Sequence, residues 1–343
     1  MKIAIACGGT GGHIYPGIAI AEGIKEFKPF FITGKKGMAC QIIKKSGFRV
    51  YVIPISFWKR RLFSLNTLGV IFSNIFCIIA SFFILIKERP KAIIGMGGYP
   101  SFPPILAGFF LRIKRIIHEQ NAKMGLANRL LSKIATSVAI SYENTEFAPK
   151  NAIFTGCPIR REIGKIGRDD GFSFFGLKDK KTILVMGGSQ GSSRINEVFF
   201  EAIPNLSEFQ ILWITGEKDY PTIKSRIQNP ESRIFPFIFE MEYVYACANI
   251  IIGRAGAVSI AEIKRCGIPA ILIPYPFSSD QHQLKNAEVL KDTIVIKEEN
   301  LSKDSLLDAI FKIKDKEKFP IEVESTERFL ELLYTEIKFV FKY

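Results

Sequence analysis

Cys7-Gly8-Gly9-Thr10-Gly11-Gly12-His13 stands directly after the apolar run Lys2-Ile3-Ala4-Ile5-Ala6 and ahead of Pro16 and Ile18-Ala19-Ile20-Ala21. Five β-prone residues, a glycine turn and a second apolar run predict strand, loop and helix, with Pro16 near the first helical turn. Glycines let backbone N–H groups approach a ligand closely, and a helix N-terminus carries about half a positive charge, so the loop favours anionic groups. The pattern returns at Thr182-Ile183-Leu184-Val185-Met186, followed by Gly187-Gly188-Ser189-Gln190-Gly191 and a helix opening near Ser193-Arg194-Ile195-Asn196. An echo at this distance predicts two similar α/β halves, each with a glycine loop facing a shared cleft.

The bulk numbers agree with that reading. A chain of 343 residues makes about two domains, and 48% hydrophobic composition is enough for two cores. Lys and Arg total 47 against 33 acids, a formal charge of +14 that suits nucleic acid, anionic lipid or a phosphorylated substrate. Composition alone does not choose among them. Basic runs sit beside apolar ones, as in Lys59-Arg60-Arg61 before Leu62-Phe63 and in Arg112-Ile113-Lys114-Arg115, which fits a membrane surface better than a nucleic-acid groove. The six cysteines (Cys7, Cys40, Cys77, Cys157, Cys247, Cys266) form no Cys-x-x-Cys pair and read as reduced cytosolic core thiols. The N-terminal apolar segment is one strand long and meets glycines at once, so no signal peptide is expected.

Leu62 to Ile86 carries no charge over 25 residues, a length that could span a bilayer. Thr67, Asn74 and Ser81 recur every seven residues, however, and give a helix one polar or small stripe. The favoured expectation is a helix that packs on a sheet and offers its remaining apolar surface to the membrane interface; a buried helix is the plainer alternative.

Along the chain, Phe30–Gly34 predicts a second strand, but Lys35-Lys36 follow where a dinucleotide enzyme wants an acid for the ribose. The glycines of the first loop miss the G-x-G-x-x-G spacing, and no G-x-x-x-x-G-K-[ST] loop occurs. Val50–Ile53 and Ala92–Gly95 read as strands, and Gly97-Gly98-Tyr99-Pro100-Ser101-Phe102-Pro103-Pro104 as a shaped loop at a strand's carboxyl end. In His118-Glu119-Gln120-Asn121, four hydrogen-bonding side chains in a row suit a sugar, and equally a satisfied turn before a helix at Ala127–Leu131. Cys157-Pro158-Ile159-Arg160-Arg161 and the polar stretch Gly164–Gly171 mark the boundary between the halves.

In the second half, strands are expected at Ile211–Thr215, near Ile234, at Asn249–Ile252 and at Pro269–Ile273. Gly253-Arg254-Ala255-Gly256-Ala257-Val258-Ser259-Ile260-Ala261-Glu262 is a third glycine loop opening a helix. Glu262 either accepts two ribose hydroxyls or is a solvated helix glutamate. Pro274–Phe277 and Asp280–Gln283 close the same edge, and a last helix from about Thr326 to Phe341 is long enough to cross back onto the first half. With no Asp-x-Asp pair and three histidines far apart, neither a catalytic metal nor another cofactor is expected.

Five of these segments in this order resemble the MurG family, the N-acetylglucosaminyltransferases that convert lipid I to lipid II: Gly8–His13, Gly95-Met96-Gly97-Gly98-Tyr99, His118–Asn121, Gly187–Gly191 and Arg254–Glu262. The resemblance implies an α/β GT-B fold of two Rossmann-like domains about a central cleft. Residues 1–158 would hold the acceptor and meet the membrane, 159–323 would bind UDP-GlcNAc, and 324–343 would pack back on the first. It also implies peripheral attachment to the cytoplasmic membrane face, an anionic lipid surface and lipid I as partners, and no nucleic acid. By position, Thr10, Gly11 and Gly12 with Asn121 would lie near the sugar, and Arg160 and Ser189 near the diphosphate. Ile238 would meet the uracil through its backbone; Ala257, Val258, Ser259, Ile260, Ala261 and Glu262 would hold phosphate and ribose; Gln283 would reach the GlcNAc hydroxyls. His282 departs from the family, which often has glutamine there. The apolar segment lacks tryptophan, so anchoring would rest on Phe63, Phe72, Phe76, Phe82 and Phe83.

An α-linked donor and β-linked product imply one inverting displacement, with loop N–H groups, helix dipoles and Arg160 stabilising the leaving diphosphate. His13 is the candidate base because an ordinary imidazole titrates near neutral pH, its plainer role being to orient the loop, and Glu119 is the reserve. Competing expectations are a diacylglycerol-type lipid glycosyltransferase, a sugar-nucleotide epimerase of the same fold and a non-catalytic membrane scaffold.

Overall fold

The computed structural model of the chain describes residues 1–9, 11–34, 39–54, 66–227, 231–278, 281–290, 293–321 and 324–337, with side chains omitted for 66–74. Thr10, Phe63, the run Lys59-Arg60-Arg61 and the side chain of Phe72 therefore lie outside the described residues. The chain divides into two compact units, Met1–Arg160 with Glu324–Tyr343, and Arg161–Val323.

In the first unit β1 (Lys2–Ala6), β2 (Lys28–Gly34), β3 (Arg49–Ile53), β4 (Ala92–Gly95), β5 (Lys114–Glu119), β6 (Ser137–Ile140) and β7 (Ile153–Phe154) form a parallel sheet in the order β3-β2-β1-β4-β5-β6-β7. Helices α1 (Gly11–Gly23), α2 (Ala39–Lys45), α3 (Asn66–Glu88), α4 (Phe102–Phe110) and α5 (Leu126–Leu131) connect them. The second unit opens with α6 (Arg168–Phe175). Its strands β8 (Thr182–Met186), β9 (Gln210–Ile214), β10 (Ser232–Phe235), β11 (Ile250–Gly253), β12 (Ala270–Leu272) and β13 (Thr293–Val295) run parallel in the order β10-β9-β8-β11-β12-β13. Their connections are α7 (Ser193–Ala202), α8 (Tyr220–Arg226), α9 (Met241–Cys247), α10 (Ala257–Cys266) and α11 (His282–Glu288), with α12 (Lys303–Ile313) after β13.

The repeat predicted from the two glycine loops is thus a repeat of topology. Both sheets grow outward from their first strand and then switch sides, between β1 and β4 and between β8 and β11. A crevice opens outside the carboxyl ends at such a switch point, where doubly wound sheets bind ligands. Central strands covered on both faces read as unbroken apolar runs, as β1 and β8 do, and Ile3, Ile5, Ile183 and Val185 are fully buried.

The structure moves several predicted boundaries. Helix α1 starts at Gly11, so Pro16 sits in its second turn and removes the N–H that would reach the Gly12 carbonyl. The stretch Gly164–Gly171 is no linker. It runs into α6, whose first turn carries Asp169 and Asp170 against the helix dipole and whose Phe172 and Phe175 are buried. The last helix, α13 (Ser325–Glu336), packs on the first unit: Phe329 and Leu333 are fully buried, Phe27 and Tyr334 have ring centroids 6.2 Å apart, and Tyr334 donates to Glu26.

Helix α3 turns Cys77, Ser81, Leu85 and Glu88 inward and Ile75, Phe76, Ile79, Phe83 and Ile86 outward. Inside, Glu88 accepts from Lys2 Nζ at 2.7 Å and from Tyr51, and these donors hold its carboxyl below the usual range. Phe82, expected among the anchoring residues, packs against the core, whereas Phe76 and Phe83 are exposed. Among the described residues no helix is long and apolar enough to cross a membrane.

Candidate active site

At the first switch point the loop after β1 carries His13 into the first turn of α1. Its Nδ1 lies 3.0 Å from Gln120 Oε1, and the ring packs on the loop after β4. A Cβ on Gly98, which has φ +70°, would sit 3.0 Å from His13 Cδ2 and 3.3 Å from Nε2, so glycine there both allows the backbone turn and lets it pack closely on the ring. Beyond Gln120, His118 is fully buried with Nε2 2.9 Å from the Gly156 carbonyl. Burial pushes the His118 imidazole down to about 4, against smaller upward pulls from the Gly156 carbonyl and Glu119 and a smaller downward one from His13.

That depression has a sign. Between about pH 4 and the ordinary value near 6.5, the unfolded chain binds a proton at His118 and the native chain does not, so stability is full above about 6.5 and falls as pH drops toward 4. The loss should approach ~3 kcal/mol, and the lowered carboxyls of Glu88 and Glu336 add theirs only below about 4.5. Urea midpoints at pH 7.5 and 5 should differ, and His118→Gln should shrink the difference; an equal difference with and without His118 would refute the assignment.

Glu119, on the same strand end, is nearly fully buried. Its Oε1 accepts from the backbone N–H of Asn121 at 3.0 Å and from Asn121 Nδ2 at 2.9 Å; its Oε2 accepts from the Gly125 N–H at 3.0 Å and Asn128 Nδ2 at 2.9 Å. Four donors occupy the four acceptor positions of the Glu119 carboxylate, expected above as the reserve base. Of the four consecutive polar residues, three are buried and bonded within the protein as the turn reading has it, and Asn121 is the half-buried one. Gly11 and Gly12, also half-buried, open α1, and Arg160 lies in the first unit with its guanidinium 4.6 Å over the Tyr15 ring.

In the second unit the loop after β8 folds tightly enough that a Cβ on Gly187 would lie 2.3 Å from the Ser192 nitrogen. Ser189 is half-buried on this loop, and Ser192 caps α7. Arg254, buried on the loop after β11, donates from Nη2 to Ser192 Oγ at 2.7 Å and from Nη1 to the carbonyls of Ile273 at 3.1 Å and Pro274 at 3.3 Å. It also pairs with Glu298 and lies 5.2 Å over the Tyr275 ring. One guanidinium therefore ties the loops after β8, β11 and β12 together. Tyr275 in turn donates its N–H to Gln283 Oε1 at 2.9 Å.

Helix α10 starts after Gly256, which brings no side-chain acceptor to its N-terminus. Ala257, Val258 and Ile260 are buried, Ser259 and Ala261 half-buried. Glu262 is buried and accepts from Tyr245 Oη at 2.8 Å, which overturns the solvated-glutamate reading. Ile238 is buried in the loop after β10. Among the described residues no group of three or more His, Cys, Asp or Glu gathers as a metal site would.

Both halves have known relatives. Residues 3–140 match the glycosyltransferase family 28 N-terminal domain and residues 182–334 the family 28 C-terminal domain. The chain belongs to glycosyltransferase family 28. It is 35% identical over 337 residues to the UDP-N-acetylglucosamine--N-acetylmuramyl-(pentapeptide) pyrophosphoryl-undecaprenol N-acetylglucosamine transferase of Acetivibrio thermocellus, spanning 93% of this chain and 91% of that one. It is 34% identical to the enzyme of the same name from Carboxydothermus hydrogenoformans, over 92% and 89%. The crystal structure of Acinetobacter baumannii MurG superposes with a TM-score of 0.73 at 23% identity, over 97% of this chain and 99% of that one, so the fold is GT-B.

Family 28 membership accounts for the glycine loops. The sequence reading passed over the individual parts of Gln120, His118 and Arg254, although each lay inside a segment already singled out. The available signal was strand parity: His118 and Gln120, two residues apart, share one face of the β5 end, and Glu119 takes the other.

Proposed function

We propose that the chain transfers GlcNAc from UDP-GlcNAc to the 4-hydroxyl of MurNAc in lipid I, giving lipid II and UDP with inversion. As the hydroxyl oxygen bonds to the anomeric carbon, His13 takes its proton, the bond from that carbon to the diphosphate oxygen breaks, and the electron pair leaves with UDP. The observation that carries this reading is the place of His13, half-exposed in the first turn of α1 at the first switch point, against two glycines that let the backbone after β4 pack closely on its ring.

The other residues fit supporting parts. The uncapped start of α10 favours a phosphate, and the buried Glu262 carboxylate suits ribose hydroxyls. Ile238 would meet the uracil through its backbone, and Arg160 and Ser189 would neutralise the leaving diphosphate together with helix dipoles. With Gln283 Oε1 taken by Tyr275, its amide nitrogen is the donor offered to a GlcNAc hydroxyl. Glu119 sets Asn121 for the sugar, alongside Thr10, Gly11 and Gly12.

The test is UDP release from UDP-GlcNAc in EDTA, with and without a lipid I analogue. Analogue-dependent release is expected. Release without acceptor would mean an epimerase or hydrolase, and release with a diacylglycerol acceptor alone would reassign the first unit.

Membrane attachment follows the same reading. Phe76 and Phe83 on α3 are 59% and 67% exposed and Phe110 at the end of α4 is 65% exposed, next to exposed Arg112 and Lys87. Apolar surface rimmed by cations suits an anionic bilayer face. Phe76→Ser with Phe83→Ser should cut co-sedimentation with anionic vesicles at least tenfold and leave turnover of a soluble acceptor analogue within about twofold, the larger part of the effect coming from ~25 cal/mol per Å² of apolar area withdrawn from water. Unchanged sedimentation would put the attachment elsewhere.

A further inference from the structure

The side-chain chain behind His13 decides which of its nitrogens can act as a base. Gln120 Nε2 lies 2.9 Å from the Met96 carbonyl, and both groups are buried. A carbonyl only accepts, so the amide must turn its NH2 toward Met96 and its oxygen toward His13. An amide oxygen also only accepts. The proton of a neutral His13 ring is therefore held on Nδ1, donated to Gln120 Oε1 at 3.0 Å, and the lone pair is left on Nε2.

The second amide hydrogen of Gln120 points at His118 Nδ1, 3.1 Å away. That nitrogen must then be the acceptor, and His118 carries its proton on Nε2, donated to the Gly156 carbonyl at 2.9 Å. Each donor meets an acceptor from His13 through Gln120 and His118 to Gly156. Reversing any one amide or ring would set two acceptors or two donors face to face in a buried place, at a cost of about 1–3 kcal/mol. The far end is anchored as well: Gly156 has φ +77°, and a Cβ there would lie 2.5 Å from Ser325 Oγ at the start of α13.

We propose that Gln120 and His118 are positioning residues for the transfer, which lock His13 in the Nδ1–H tautomer so that Nε2, beside Gly98, is the proton acceptor. The kinetic part rests on His13 being the base; the tautomer part does not. A free histidine ring prefers its proton on Nε2, which would leave the nitrogen beside Gly98 without a lone pair.

The chain has only three histidines, so 15N-imidazole spectra of the histidine-labelled protein at pH 8 contain three rings. His13→Asn and His118→Asn each remove one set of signals and assign the rest. In the unsubstituted protein His13 should be protonated at Nδ1 and His118 at Nε2. Gln120→Met should move the His13 proton to Nε2 and lower kcat at least tenfold with UDP affinity, read by calorimetry, within about twofold. A His13 ring protonated at Nε2 in the unsubstituted protein would overturn the proposal. So would Gln120→Met leaving the His13 tautomer unchanged. If the tautomer moves as expected while His13→Asn keeps full kcat, the lock stands and the base assignment fails.

Discussion

His13→Ala is expected to lower kcat by about 10²- to 10⁴-fold, the range a positioned general base supplies, with UDP affinity unchanged by calorimetry. The acceptor hydroxyl is far too weak an acid to lose its proton before attack at neutral pH, so the proton has to move as the new bond forms. His13 is half-buried beyond the carboxyl end of β1, and the glycines at positions 97 and 98 let the loop after β4 pack against its ring, where a Cβ would come within 3.0–3.3 Å. Glu119→Gln provides the contrast. A neutral amide has one oxygen where the carboxylate presents two to four donors, so it should misplace Asn121 and lower stability without removing the base. A His13→Ala enzyme that kept most of its kcat, or a Glu119→Gln enzyme that lost as much as His13→Ala with no change in stability, would exchange the two roles.

Arg254→Ala should have the second large effect, on the second unit, proposed to bind the donor. The Arg254 and Glu298 side chains are 10% and 19% exposed, and removing the cation strands a largely buried carboxylate at a cost of about 3–5 kcal/mol. The same change takes the donors from Ser192 Oγ and from the Ile273 and Pro274 carbonyls, so the loops after β8, β11 and β12 lose their common tie. UDP affinity should drop more than tenfold, and the unfolding transition of the second unit should shift while that of the first stays. Arg254→Lys keeps the charge without the planar fork and should fall between. UDP binding within twofold of the unsubstituted protein would show that the loops are held by other means.

The strands next to the glycine loops were legible because each is an apolar run that leads into glycine: β1, β4, β8, β9 and β11 are found where the pattern put them. β6, β13 and α12 were not anticipated. The two strands are short and lead into Ser141-Tyr142 and Ile296-Lys297, with no glycine to mark their ends, and they lie beyond the central strands of their sheets. At the site, the chemistry-bearing segments were visible but the division of labour within them was not. Glu119 and Gln120 are adjacent and both polar; only their partners separate a carboxylate closed by four donors from an amide that bridges two histidines. Glu262 read equally well as solvated, because a helix glutamate shows its burial only once α9 brings Tyr245 against it.

Taken by itself, the amino-acid sequence determined that the chain has two α/β halves, that each opens with a glycine loop, and that the whole resembles one family of sugar transferases, since these depend on local periodicity and on motifs in order. The tertiary structure alone decided which nitrogen of His13 faces Gln120, that four donors close on the Glu119 carboxylate, and that one arginine ties three loops. The contacts of His13 and Arg254 join residues far apart in the chain, those of Glu119 close a local turn, and in each case the direction of the bond follows from the donors and acceptors that folding brings face to face.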